Sequence, residues 1–492
     1  MKRILGGSLA ALAVAACSES PAAPDSPDLP APAAVIASGD VIVANTNSAG
    51  AGSFRDAVEQ ANADPSILTI AFEPSINTIN LQAGVVFTGT QDLTIHGNHV
   101  TIDGAGAGGA AFTATGGGDL TLLALTVRNA PGEGVRVDVP PSSTGAITVS
   151  LTDVHILANA GHGVLVNDQE DPSAPEDVQP NPNGSAASVA VVVTDSRFIG
   201  NGYSVSDRDG LRVNEGGEGD LRLTLVRTQA VDNAADGVEI DERGAGDVHI
   251  DVSRTSFTRN GRLDPADLDD GFDVDEYNDG SIIGTVVATS ANHNFEEGFD
   301  LNENNAGDLR VDFREVEASW NGEEGIDLEE DDDFGEAGDP NGGGGDLVTV
   351  MTGIRTTGNG DAADGALKIR EKEVGNLGAT LTNIVSTGNI GSGVFLRESS
   401  DGSSVVSLEN MVSTGNEAGA LDPFSLGHGI ELLESGGGDL TATVADATVA
   451  ANAGNGLFGD ETGAGAGTVT ATGVKGAGNA LGETGGGATF LP

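Results

Sequence analysis

The chain has 492 residues, 74 of them glycine, with 4% aromatic residues and a formal charge of -53. Glycine this frequent without a Gly-X-Y period, with so few aromatics, excludes collagen and argues against several conventional cores, leaving a repetitive β architecture. A surface this acidic repels nucleic acid and anionic headgroups and attracts cations; acidic polysaccharides would be repelled too unless a bound cation bridged them.

In chain order, residues 1–16 carry Lys2 and Arg3, a short apolar run from Ile4 to Ala13, and "VAAC" ending at Cys17. The run is too short to span a bilayer comfortably. The pattern resembles the bacterial lipoprotein signal, which implies lipidation of Cys17 and a place in the cell envelope, anchored in a membrane, with Ser18 pointing to the outer one. Cys17 is the single cysteine, so no intrachain disulfide forms. Residues 17–38, rich in proline and alanine, read as an extended tether.

Residues 39–118 read as an N-terminal cap and first coils. Ser53 with Asp56 makes a capping box, and Phe54, Ala57, Val58 and Ala61 give one apolar helical face before Pro65. A solenoid needs such a plug, because an open end exposes core and unpaired backbone. The C-terminal "GATFLP" at 487–492 is a weaker candidate for covering the other end.

Residues 119–492 repeat. "GLRVNE" at 210 returns as "GVEIDE" at 237, "GFDVDE" at 271, "GFDLNE" at 298 and "GIDLEE" at 325. It continues as "ALKIRE" at 366, "GVFLRE" at 393, "GIELLE" at 429 and "GLFGDE" at 456. The intervals are 27, 34, 27, 27, 41, 27, 36 and 27, a fixed period with loop insertions. A second marker keeps step: an Asp 13 residues before an Asn, as in Asp220/Asn233, Asp247/Asn260 and Asp308/Asn321. Apolar residues alternate within each copy, so the unit holds about three short strands and no helix. Stacked units place equivalent residues roughly 4.8 Å apart, and about twelve fit after residue 119. The chain here resembles the right-handed parallel β-helices of the pectin-lyase-like superfamily, and its Asn marker sits where that superfamily often stacks an asparagine ladder. The resemblance implies an all-β solenoid and leaves activity open.

Stacking turns the hexapeptide into a grid. Asp273, Asp300 and Asp327 form one column, Asp275, Asn302 and Glu329 a second, and Glu276, Glu303 and Glu330 a third; Glu239, Asp241 and Glu242 add a coil. Carboxylates about 5 Å apart repel by around 3 kcal/mol at an effective dielectric of 20. Counterions, raised pKa values or a divalent ion could relieve this. Ca²⁺ suits the spacing, since two oxygens bound at about 2.4 Å reach adjacent coils. The candidate metal ligands are therefore Asp273, Asp275, Glu276, Asp300, Glu303, Asp327, Glu329 and Glu330, with further carboxylates on the insertions at 261–271 and 329–346. No EF-hand spacing is present. Lys368 and Arg370 then reverse the sign of the columns and are expected to pair across the ladder.

Two functional classes follow. One is an anchored surface or periplasmic protein, non-catalytic, with a Ca²⁺-binding face and an adhesive or glycan-binding role. The other is a polysaccharide lyase, epimerase or glycoside hydrolase acting on a uronate polymer, with Lys368 or Arg370 as the base. "GFD" partly resembles the alginate-epimerase signature but lacks its Tyr and His partners, and the polygalacturonase-like pieces, including "GHG" at 427–429, occur out of order. Seven unclustered histidines disfavour zinc. The insertions after Asn201, Asn260 and Asn416 share one corner and would rise as a wall beside the acidic strand.

Overall fold

The computed structural model describes residues 40–168, 184–203, 207–262, 269–331, 344–360, 365–372, 374–419 and 426–492. The signal, Cys17, the tether, Asp264, Asp267, most of the 329–346 insertion and the tips of the other insertions lie outside them. Residues Ala37–Pro492 form one unit.

Three strands make each turn from Val164 to Ala477; in the turns opening at Val85, Phe112 and Val135 the second and third are one long strand. In the turn opening at Leu211 they are Leu211–Glu215, Leu221–Val226 and Gln229–Val231, and Val238–Glu242 begins the next. The first strand of every turn joins a 14-stranded sheet, and the other two join a 27-stranded sheet. Neighbouring rungs pair in parallel, residue for residue, as in Asp273↔Asp300 and Asp300↔Asp327. Twelve rungs of the smaller sheet begin after residue 119, and both sheets continue without a break into the preceding segment. The winding is right-handed, the hand that a right-twisted strand imposes on parallel crossovers.

Alternation decides what lies inside. In Phe272–Glu276 the side chains of Phe272, Val274 and Glu276 are buried while Asp273 and Asp275 are partly exposed. Phe257, Phe272, Phe299 and Phe313 pack in a chain of centroid distances between 5.2 and 5.8 Å. Four of the chain's 15 phenylalanines therefore underlie the acidic rungs, stiffening them and keeping water from their inner side.

The predicted asparagine column closes the corner before the acidic sheet. Asn201 Nδ2 donates to Asn233 Oδ1 at 3.0 Å, Asn233 to Asn260 at 3.0 Å, and Asn260 to Asn294 at 3.1 Å. Each backbone N–H also reaches the next amide oxygen, up to Asn452 N–H and Asn479 Oδ1 at 3.1 Å. The Asp of the second marker caps the following rung: Ser281 N–H donates to Asp247 and Asp346 N–H to Asp308. Both markers answer one demand, that turn backbone groups shut away from water find partners.

The N-terminal helix runs Phe54–Ala63, with Ser53 accepting from Asp56 N–H and Phe54, Ala57, Val58 and Ala61 buried. The box is modified: Asp56 accepts from Gly52 N–H rather than from Ser53. At the other end Thr489–Leu491 adds a strand to the long sheet beside Thr468–Thr470, so "GATFLP" extends the solenoid instead of covering it. Among the described residues no helix is long and apolar enough to cross a membrane.

Candidate cation-binding face

The smaller sheet assembles four columns of polar side chains. The first, absent from the sequence grid, stands just before each repeat glycine: His162, Asp209, Asp236, Asp270, Glu297 and Glu324. Its polar identity has a local cause in the first four, because each of those side chains accepts a backbone N–H from the next rung. Asp209 N–H donates to His162 Nδ1, Asp236 N–H to Asp209, Asp270 N–H to Asp236, and Glu297 N–H to Asp270.

The second column reads Arg212, Glu239, Asp273, Asp300, Asp327 and Lys368; the third reads Asn214, Asp241, Asp275, Asn302, Glu329 and Arg370. Basic residues close both ends. Arg212, fully buried, bonds Asp241 at 2.6 Å and also Glu239 and Asp207. Lys368 Nζ lies 2.7 Å from Asp327 and 2.5 Å from Glu329, and Arg370 and Lys372 add 2.6 and 2.7 Å contacts to Glu329. The expected cross-ladder pairing is thus present.

The middle rungs are different. Burial raises Asp273 well above the ordinary carboxylate range, and its principal charged neighbours, Asp275, Asp236, Asp300 and Asp270, raise it further. Asp300 is raised the same way by burial, Asp327, Asp270 and Asp275. Burial pushes Asp270 up to about 6 and, with help from Asp241, Asp275 up to about 7. Buried oxygens of Asp273 and Asp300 find no hydrogen-bond partner. Burial also raises Glu329, but Lys368, Arg370 and Lys372 outweigh it and hold that carboxyl well below its usual range.

Carboxylate oxygens converge in triads within 4.8 Å of one another: Asp236, Glu239 and Asp273; Asp270, Asp273 and Asp300; Glu297, Glu324 and Asp327. Each triad takes residues from the first two columns and spans neighbouring rungs. Ca²⁺ bound at about 2.4 Å would accept such sets as partial coordination. Of the eight candidate ligands, Asp273, Asp300 and Asp327 join these triads. Asp275 is beside them, its Oδ2 accepting from Tyr277 O–H at 2.7 Å. Glu329 is committed to three cations. Glu276, Glu303 and Glu330 belong to another place altogether: they are fully buried in a fourth column, on the side of Phe272 and Val274. Their position follows from period-two alternation, which assigns the sixth residue of the hexapeptide inward.

Sequence reasoning missed the first column and Arg212. An acid precedes the repeat glycine in five successive copies, from Asp209 to Glu324, and "GLRVNE" places Arg212 in register with Glu239. His428 fits the first column's rule: its Nδ1 accepts Asn455 N–H at 2.8 Å, and burial lowers it to about 4.

Parallel sheets, an asparagine-filled corner and strands that recur turn by turn define a parallel β-helix. No protein-family model and no curated protein matches the chain. Solved structures similar to it include pectate lyase Pel9A, at 15% identity over 72% of this chain and 80% of that one, TM-score 0.42. The periplasmic alginate epimerase AlgG is 12% identical over 79% and 89%, TM-score 0.35. PfbA, a surface adhesin of Streptococcus pneumoniae, is 10% identical over 92% and 93%, TM-score 0.32. No residue role is carried over from any of them.

Proposed function

We propose that the chain is a lipid-anchored protein of the bacterial cell envelope whose acidic sheet binds Ca²⁺, and that the loaded face holds an acidic glycan or cell-surface ligand without cleaving it. The observation that carries this reading is the uneven neutralisation of one continuous carboxylate patch. Arg212 answers it at one end and Lys368, Arg370 and Lys372 at the other, while Asp273 and Asp300 between them meet chiefly other carboxylates. A divalent ion supplies the missing charge and leaves coordination positions for an anionic ligand that the bare surface would repel.

The lyase alternative needs a base that gives up its proton. Burial would lower Lys368, but Asp327, Glu324 and Glu329 raise it well above its normal value, and Arg370 is engaged with both oxygens of Glu329. Both side chains are thereby locked as counter-ions, which favours the binding reading.

Calorimetric Ca²⁺ titration of the full chain, with a glycan array run with and without Ca²⁺, tests the proposal. Saturable binding lost in Asp273→Asn/Asp300→Asn, and glycan capture only with Ca²⁺, are expected. Absence of Ca²⁺ uptake by the wild-type chain would sink it, and unsaturated products from a uronate polymer would transfer the case to the lyase.

A further inference from the structure

The fourth column is longer than the acidic face and lies on the other side of the same sheet. Register places Asp168, Glu215, Glu242, Glu276, Glu303, Glu330, Glu371, Glu398, Glu434 and Glu461 one above another, a carboxyl group on ten consecutive rungs. From Asp168 to Glu434 none is more than 1% exposed. The sequence keeps this device together with a glycine four residues on: Gly219, Gly246, Gly280, Gly307, Gly375, Gly402, Gly438 and Gly465. A Cβ at Gly307 would overlap the Gly280 carbonyl oxygen and crowd Glu303 Oε1, so bare turn backbone roofs the column.

The oxygens divide by rung. One oxygen of Glu276 accepts Asn278 N–H at 3.1 Å, and one of Glu398 accepts Ser400 N–H at 2.8 Å. Glu303, Glu371 and Glu434, on alternate rungs, have neither oxygen partnered. A fully ionised stack at strand spacing in a dry wall would combine mutual repulsion with unsatisfied acceptors. Among the described residues no ion pair to this column is found: Arg243 and Lys372, next in sequence to Glu242 and Glu371, bond Asp241 and Glu329 across the sheet.

We infer that this column is a proton-sharing ladder, in which carboxyl groups on alternate rungs remain protonated at neutral pH and each donates its single O–H to the carboxylate of one neighbouring rung. It does with protons what the asparagine column does with amides. The ionisable groups acting on each member are its column neighbours. Burial, then Glu276 and Glu330, push Glu303 up to about 11; burial, then Glu330 and Glu398, push Glu371 up to about 10. On the rung before Glu303, burial takes Glu276 only to about 7. Raised folded values mean that this contribution to stability is fully present below the ordinary glutamate range and is lost as pH rises through the raised values.

The test uses the full chain carrying ¹³C at the glutamate side-chain carboxyls, in chelator, with Glu303→Gln and Glu371→Gln. The expected result is a set of carboxyl resonances still protonated at pH 8, one fewer in each variant. A glutamine amide can donate at every pH, so the variants should gain thermal stability relative to wild type as pH rises from 5 to 9. The inference is overturned if every glutamate titrates in the ordinary range, or if the variants trail wild type equally at all pH values. It is also overturned if Na⁺, K⁺ or Ca²⁺ abolishes the protonated resonances, since a cation would then fill the column. Should a variant not fold, the wild-type spectrum alone decides. The result is independent of Ca²⁺ binding by the opposite face.

Discussion

Lys368 touches Asp327 and Glu329 from a largely buried position. Its replacement by Met leaves buried Asp327 without its cation, while Glu329 keeps Arg370 and Lys372, so Lys368→Met should destabilise by about 3–5 kcal/mol, read by denaturant unfolding, with partial recovery in Ca²⁺. Asp273 presents the opposite case. Its carboxyl is raised by burial and then by like charges, so Asp273→Asn removes a buried charge and its repulsion, and its Tm should exceed that of wild type in chelator and fall below it in saturating Ca²⁺. The crossing of the two melting curves distinguishes an ion site from a merely solvated acidic surface, where Asp273→Asn would stay ahead in both conditions.

At the scale of the strand and its turn, stability depends on repetition being kept exact in space. Asn321 donates to Asn359 at 3.2 Å and accepts from Asn294 at 3.1 Å. Asn321→Ala leaves buried donors and acceptors on two rungs without partners and should cost about 1–3 kcal/mol for each, measured by urea unfolding. The acidic rungs also set a pH dependence. Asp270 at about 6 and Asp275 at about 7 lie above their unfolded values. Their contribution is therefore complete below about pH 4 and is lost as pH rises through 6 to 7. In chelator the Tm should fall between pH 5 and 8, and Ca²⁺, taking the place of the protons, should flatten that fall.

For the molecule as a whole, each turn contacts mainly its neighbours, so the ends matter. Phe54 of the capping helix packs at a tilt against Phe72, centroids 5.3 Å apart, and against Phe112 at 6.1 Å. Phe54→Ala should cost about 3–5 kcal/mol and expose the first turns to proteolysis. If the acidic face loads with Ca²⁺ at 100 times its dissociation constant, the full chain gains about 2.7 kcal/mol.

What the sequence determined by itself was the period, the asparagine corner, the helix face from Phe54 to Ala61 and the reversal of charge at Lys368. All are properties of one strand or of linear recurrence, where a 27-residue interval is already a statement about neighbours. What only the tertiary structure decided was which side of the sheet, and which adjacent column, each carboxylate meets. Asp270 and Asp273 are three residues apart in sequence yet share a triad with Asp300 from the next rung. Glu276, adjacent to Asp275, lies across the sheet in a column of its own. The physical reason is that charge interactions depend on distance and burial together, and winding a chain into a wall sets both at once, giving two neighbouring carboxyl groups opposite surroundings.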